Sequence, residues 1–325
     1  MDVRLGYAAM SVHVPNASPS KTMTARQFAG IMDREAALRK LERIAQENLR
    51  NCVRLLYHNR AYDITFFRLS SRLIPLVGHE LTEGWEYRSH LEAAFRMLGN
   101  VATKDGVRLD FHPDHFVVLN TPRKNVLKVS LDTLEHHIWM LKMLGVQPDH
   151  RCVLHVGGAY KDKGKAIRQF IKNWELVPEE VKKSLLLEND DKVFTAKETL
   201  ELCETLGIPM VLDIHHHRCN YEESEEEIDA LLPRIIDTWK DSLLSVKMHI
   251  SSPRSEKDRR SHADYVAPED MFPFLRKVAN YTERLDMMVE AKKKDDALFH
   301  LMEWINKEGE KEKIRAINRS SFHIE

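Results

Sequence analysis

The sequence predicts an α/β protein folded as a single (β/α)8 barrel, with its chemistry at the C-terminal ends of the strands. Three observations carry this prediction. Short apolar or β-branched runs alternate with longer helical stretches eight times, the pattern expected when repeated strand-helix-strand crossovers build a parallel sheet. The chain has 325 residues, long for one ordinary domain but within the roughly 200 to 400 residues of such a barrel with insertions. Six consecutive strand candidates finish in a potential metal ligand. A doubly wound open sheet is the structural competitor.

In chain order the strand candidates are residues 3–8, 65–69, 108–112, 152–156, 185–188, 209–213, 245–249 and 287–290. The helix candidates are 33–50, 87–98, 126–144, 165–174, 196–206, 224–239, 268–278 and 295–306. The stretch 10–30, with Ser, Pro, Asn and Thr throughout, reads as a long loop after strand one, and loops of that length are usually functional or disordered. The barrel domain therefore spans 1–306, and the polar, weakly periodic segment 307–325 reads as a peripheral C-terminal extension.

Composition narrows the class. With 43% hydrophobic residues and only 12 Gly and 12 Pro, a sizeable core is available, which excludes a collagen, a linker protein and a disordered tail. Lys and Arg total 49 against 50 Asp and Glu, so no global basic field exists and any nucleic acid must be met by a local patch. Cys52, Cys152, Cys203 and Cys219 are scattered without a C-x-x-C pair, which reads as reduced thiols in a cytoplasm. Asp2 and Arg4 precede any apolar run, and nowhere do 18 apolar residues follow one another. Neither a signal peptide nor a membrane span is expected.

The 17 His are roughly twice ordinary usage, and their positions explain the excess. Strand three ends at His112, four at His155, five at Glu188, six at Asp213 with His216 three residues on, seven at His249 and eight at Glu290. One such terminus is commonly just a polar residue in water. Six pointing to one barrel mouth would crowd carboxylates and imidazoles together, which is unfavourable unless cations neutralise the acids. Carboxylate with imidazole suits manganese or zinc, with magnesium as a further alternative. Two or three ions bridged by a carboxylate would use so many ligands, and such a site stabilises both attacking and leaving oxygens in phosphodiester hydrolysis.

Several motifs then fall into one order: L-G-Y at 5–7, F-H-P at 111–113, L-H-V-G-G-A-Y-x-x-K-G-K-A at 154–166, L-E-N-D at 187–190, D-x-x-H-H at 213–217, K-x-H at 247–249 and V-E-A-K at 289–292. Together they resemble the bacterial UV damage endonuclease family, itself similar to endonuclease IV. The resemblance implies a TIM barrel holding up to three divalent ions, manganese first among them. It implies incision of damaged double-stranded DNA immediately 5′ to cyclobutane pyrimidine dimers and 6-4 photoproducts, and at abasic sites, leaving 3′-hydroxyl and 5′-phosphate ends. It further implies a monomer without a nucleotide cofactor or a membrane partner.

Carried over by motif, the first ion would be held by His112, His155 and Glu188. A second would share Glu188 and add Asp213, His249 and Glu290. A third would take His216 and His262, with Lys247 beside it, and in the family the matching Lys can be carboxylated. Glu188 and Glu290 would be the catalytic carboxylates. His79, in L-I-P-L-V-G-H-E, reads either as a catalytic or phosphate contact or as an ordinary loop His. Tyr7 reads either as a contact to the nucleotide or as a packed strand-end Tyr.

In one place the chain departs from the family. Where many members have H-P-G-Q-Y, this sequence has H-P-D-H-F, so the pair expected to probe the duplex becomes His115 and Phe116. Both can wedge or stack, while Phe116 also opens an apolar run and reads equally as core.

Lys161, Lys163 and Lys165 lie in a Gly-rich stretch that mimics a P-loop, but five residues rather than four separate Gly158 from Gly164 and Ala166 replaces the Ser or Thr. The stretch reads as a solvated turn or as a loop for DNA phosphates. Arg259 and Arg260, in a second basic cluster just before His262, are candidate phosphate contacts. The acidic run 222–227 is expected on the far helical side. A xylose-isomerase-like sugar isomerase or epimerase is the alternative function, since it uses a similar barrel with carboxylate-bound metals. A non-catalytic binding barrel is disfavoured because every ligand of the motif set is present.

Overall fold

The computed structural model describes residues 1–221 and 227–325. Eight parallel strands, β1 (Asp2–Ala8), β2 (Phe66–Arg68), β3 (Arg108–Asp110), β4 (Cys152–His155), β5 (Leu185–Glu188), β6 (Met210–Asp213), β7 (Val246–Ile250) and β8 (Arg284–Val289), form a nearly closed barrel. The seam between β3 and β4 is a parallel bridge, Phe111 to Cys152. There the Phe111 amide donates to the Arg151 carbonyl at 2.8 Å and the Val153 amide to the Phe111 carbonyl at 3.1 Å. The open sheet is thereby excluded.

The helices follow in turn: α1 (Arg34–Ala61), α2 (Tyr87–Lys104), α3 (Lys124–Met143), α4 (Lys163–Trp174), α5 (Ala196–Leu206), α6 (Ile228–Asp237), α7 (Pro268–Val278) and α8 (Asp295–Glu308). Most begin and end near their sequence expectation; α2 runs six residues further, to Lys104, and α1 runs on to Ala61. Asp33 caps it by accepting from the Glu35 amide, and Cys52, Val53, Leu55, Leu56 and Asn59 extend its buried stripe. The first residues expected in α6, and the acidic run but for Glu227, lie outside the described residues.

Strand parity decides what lies inside. Along β1, Val3, Leu5 and Tyr7 are buried toward the helices, whereas Arg4 reaches Asp286 of β8 at 2.6 Å. Gly6 shares that inward parity, and a Cβ there would meet the Phe66 ring and carbonyl at 2.5 Å, so only glycine lets β1 and β2 approach. The inner layer toward the strand N-termini is charged rather than aliphatic. Lys247 donates to Asp110 at 2.9 Å and Arg108 to Asp286 at 2.8 Å, joining strands that are not neighbours in the sheet and so crossing the interior. Lys247, Asp110 and Asp286 are all buried, which is tolerable only because each charge has a partner.

Two segments pack more closely than their composition foretold. The loop 10–30 contains a short helix, Ala25–Ala29, closed by a capping box between Thr24 and Gln27. The loop is tied down by buried Ala17, Met23 and Phe28 and by Asn48 of α1 donating to the Lys21 carbonyl at 2.9 Å. The segment 307–325 forms a hairpin, Ile314–Ala316 with Ser321–Ile324, whose second strand pairs antiparallel with β1. Phe322 and Ile324 are buried there, so the tail completes the sheet edge instead of lying loose. Among the described residues no helix is long and apolar enough to cross a membrane.

Candidate metal centre

Glu188, the last residue of β5 and buried, stands at the centre of the barrel mouth. Its Oε2 lies 2.8 Å from His112 Nε2 and its Oε1 2.6 Å from His249 Nδ1. His155 Nε2 is 3.8 Å away and His216 Nδ1 3.7 Å. Among the described residues, three groups have ligand atoms close enough to share an ion: His112, His155 and Glu188; Glu188, Asp213 and His216; and Glu188, His249 and Glu290. All three use Glu188, so one carboxylate is shared among every candidate position.

Local structure aims these side chains. Asp213 ends β6 and caps the short helix Ile214–Cys219, its Oδ1 accepting from the His216 amide at 2.8 Å, which turns His216 back toward Glu188. Asn189 locks the arrangement: its side chain exchanges two hydrogen bonds of 2.9 Å with the Asp213 backbone. His216 Nδ1 donates to the Asn189 carbonyl at 3.0 Å, leaving Nε2 as the lone pair for a metal. The flanking imidazoles go elsewhere, His217 against Tyr221 and His215 edge-on to His262 at 5.6 Å.

The donor set fits a cation. His112 Nδ1 donates to the Pro113 carbonyl at 3.1 Å, so its Nε2 lone pair faces the Glu188 carboxylate. Burial pushes the His112 imidazole down, against the pull of Glu188. Burial would raise the Glu188 carboxyl, but His249 and His155 and the hydrogen bond from His249 Nδ1 hold it well below the usual range. A neutral imidazole and an ionised carboxylate at 2.8 Å present two lone pairs to each other, which a divalent ion relieves. The buried Asp213 Oδ2 and His155 Nδ1 make no hydrogen bond among the described residues. A candidate ligand oxygen is thus left open.

The other predicted residues divide. His262 lies by His216, their ring centroids 6.1 Å apart. Lys247 points one layer deeper than His249 and pairs with Asp110, not with His216 or His262, because residues 247 and 249 share the inward parity of β7 at successive depths. Tyr7 has the opposite parity to Gly6 and donates to Asn59 of α1 at 2.7 Å, fully buried behind the barrel wall. It is the packed strand-end Tyr, not a nucleotide contact. His79 caps a one-turn 3-10 helix, accepting from the Leu81 amide at 3.1 Å, in a separate surface cavity with Gly78, Glu80 and Thr82.

At the rim, Phe116 is 56% exposed, which removes the core reading. His115 sits beside it and lines an open cavity of about 430 Å³ with His112, His155, Glu290 and Arg68. Lys161 and Lys165 are exposed, whereas Lys163 is drawn to Glu198 at 3.1 Å. Arg259 and Arg260, the basic cluster before His262, project from a hairpin, Pro253–Ser255 with Asp258–His262.

Two site residues were missed. Arg68 ends β2, donates to Glu290 Oε1 at 2.6 Å and lies 2.8 Å from His249 Nε2. Its strand-end position was the signal, overlooked because Arg is no metal ligand. Asn189 stood in plain view in the L-E-N-D motif.

A family model described as UV-endonuclease UvdE matches residues 3–323. A UV DNA damage endonuclease of Halalkalibacterium halodurans is 48% identical over 325 residues, covering 100% of this chain and 99% of that protein. One from Bacillus cereus is 36% identical over 321 residues, 99% of this chain and 98% of that protein. The crystal structure of SacUVDE superposes with a TM-score of 0.81 at 26% identity, over 94% of this chain and 99% of that one.

Proposed function

Since the chain belongs to the UV-endonuclease UvdE family, we propose that it is a DNA-repair endonuclease cutting the backbone immediately 5′ to cyclobutane pyrimidine dimers and 6-4 photoproducts. The ends left are a 3′-hydroxyl and a 5′-phosphate, and abasic sites are secondary substrates. The observation that carries this reading is the sharing of buried Glu188 by three ligand groups drawn from six strand ends.

His112, His155 and Glu188 would hold one divalent ion, Glu188, Asp213 and His216 with His262 at hand another, and Glu188, His249 and Glu290 a third. Manganese is the metal we favour, with zinc and magnesium as alternatives. When bound, such ions supply a nucleophile at neutral pH and neutralise charge on the scissile phosphate. The protein's own work is to hold and orient. Asn189 and the Pro113 carbonyl hold a proton on Nδ1 of His216 and His112, which leaves Nε2 of each ring for an ion. The open cavity beside Glu290 would take a backbone phosphate, and exposed Phe116 with His115 would wedge the duplex. Lys161, Lys165, Arg259 and Arg260 would meet flanking phosphates, a local basic surface on a neutral, cytoplasmic monomer.

The test is incision of a defined photoproduct in an oligonucleotide with Mn²⁺, Zn²⁺ or Mg²⁺, mapping the cut and its end groups. Cutting elsewhere than 5′ to the lesion overturns the proposed chemistry. Interconversion of an aldose and a ketose without incision would favour the sugar isomerase instead.

A further inference from the structure

Arg68 stands where a metal ion would be expected. Its Nη1 donates to Glu290 Oε1 at 2.6 Å and its Nη2 lies 2.8 Å from His249 Nε2. Its Nε makes no hydrogen bond among the described residues, so Glu290 and His249 are what hold the guanidinium, almost wholly buried. A guanidinium only donates. His249 Nε2 must therefore be the acceptor, and the proton of the neutral ring sits on Nδ1, which donates to Glu188 Oε1 at 2.6 Å. Both ring nitrogens are then committed, and His249 has no lone pair left for a metal.

An ion could enter the group Glu188, His249 and Glu290 by either nitrogen, and both routes expel Arg68. Ligation through Nδ1 moves the ring proton to Nε2, where it would face an Arg68 N–H, donor against donor. Ligation through Nε2 takes the lone pair that Arg68 uses. The guanidinium meanwhile gives the Glu290 carboxylate the positive charge that an ion would bring.

We propose that Arg68 is a built-in cation at this position, and that a divalent ion enters there only in exchange for the guanidinium. The inference rests on the metal-binding reading above, and it makes this position the weakest of the three.

The test is calorimetric titration of the full chain with Mn²⁺ alone, comparing wild type with Arg68→Met, both checked for folding by circular dichroism. The weakest class of site should tighten about tenfold or more in the variant, the scale on which residues contacting ligands tune affinity, with the tighter sites unchanged. Ion binding with identical isotherms overturns the role of Arg68 and leaves the metal reading standing. Absence of ion binding in both proteins overturns the two together. A second measurement needs no variant of Arg68: ¹⁵N spectra of histidine in the metal-free wild type, with His249 assigned by His249→Gln. They should show His249 protonated on Nδ1, and saturation with Zn²⁺ should abolish that state. Protonation on Nε2 in the metal-free protein overturns the inference.

Discussion

His112 Nε2 lies 2.8 Å from Glu188 Oε2 while the other nitrogen of the same ring is spent on the Pro113 carbonyl. The backbone thus forces a lone pair against a carboxylate, a contact that a cation resolves. Glu188→Gln keeps the shape and removes the charge shared by all three ligand groups. Ion affinity and incision should both fall on the order of 100-fold or more with the melting temperature of the metal-free protein little changed. Near-normal cutting by this variant removes the ligand assignment.

Phe116 is exposed, so truncating it leaves no cavity. Phe116→Ala should melt with the wild type yet lose about 1 to 3 kcal/mol of preference for a photoproduct over intact duplex, the scale of one base-stacking contact. Incision at an abasic site, already unstacked, should suffer less. Paired incision rates and melting curves decide the matter, and an equal loss on all substrates would take Phe116 out of lesion recognition.

Burial pulls the His216 imidazole down, but Asp213, Glu188 and Glu290 outweigh it and raise it to about 9. Because its folded value is raised, protonated His216 stabilises the metal-free fold fully below its ordinary value of 6.5. That contribution is lost as pH rises through about 9. An ion bound by Glu188, Asp213 and His216 must displace the same proton. Mn²⁺ affinity should accordingly climb with pH across this window, with proton release seen by calorimetry in buffers of different ionisation enthalpy. A flat profile would drop His216 from the ligand set.

Asp110 sits below the layer of Glu188 and His249, held far below the usual carboxylate range because Arg108, Lys247 and Arg151 overcome its burial. Burial likewise lowers the Lys247 amine to about 8 in spite of Asp110. Asp110→Asn leaves buried cations short of a partner and should cost about 3 to 5 kcal/mol of stability. Urea unfolding measures this. A loss nearer 1 kcal/mol, the value of a solvated pair, would mean that water reaches the layer.

The sequence by itself determined the eight-fold alternation and the row of candidate ligands at the strand ends, because both are local patterns: apolar runs of strand length, and one polar residue where each run stops. His112, His155, Glu188, Asp213, His216, His249 and Glu290 were legible for that reason. Only the tertiary structure decided parity and depth. A period of two separates Gly6 from Tyr7 and Lys247 from Met248 without saying which member faces the barrel. The close approach of Phe66 to Gly6 settles the first case and the pairing of Lys247 with Asp110, across the interior, the second. The same limit hid Arg68, whose meaning lies in Glu290 and His249, 222 and 181 residues away, and the terminal hairpin, whose polar composition conceals that Phe322 closes against β1. Partners so far apart in the chain are chosen by closure of the barrel, a global constraint that no local window of sequence contains.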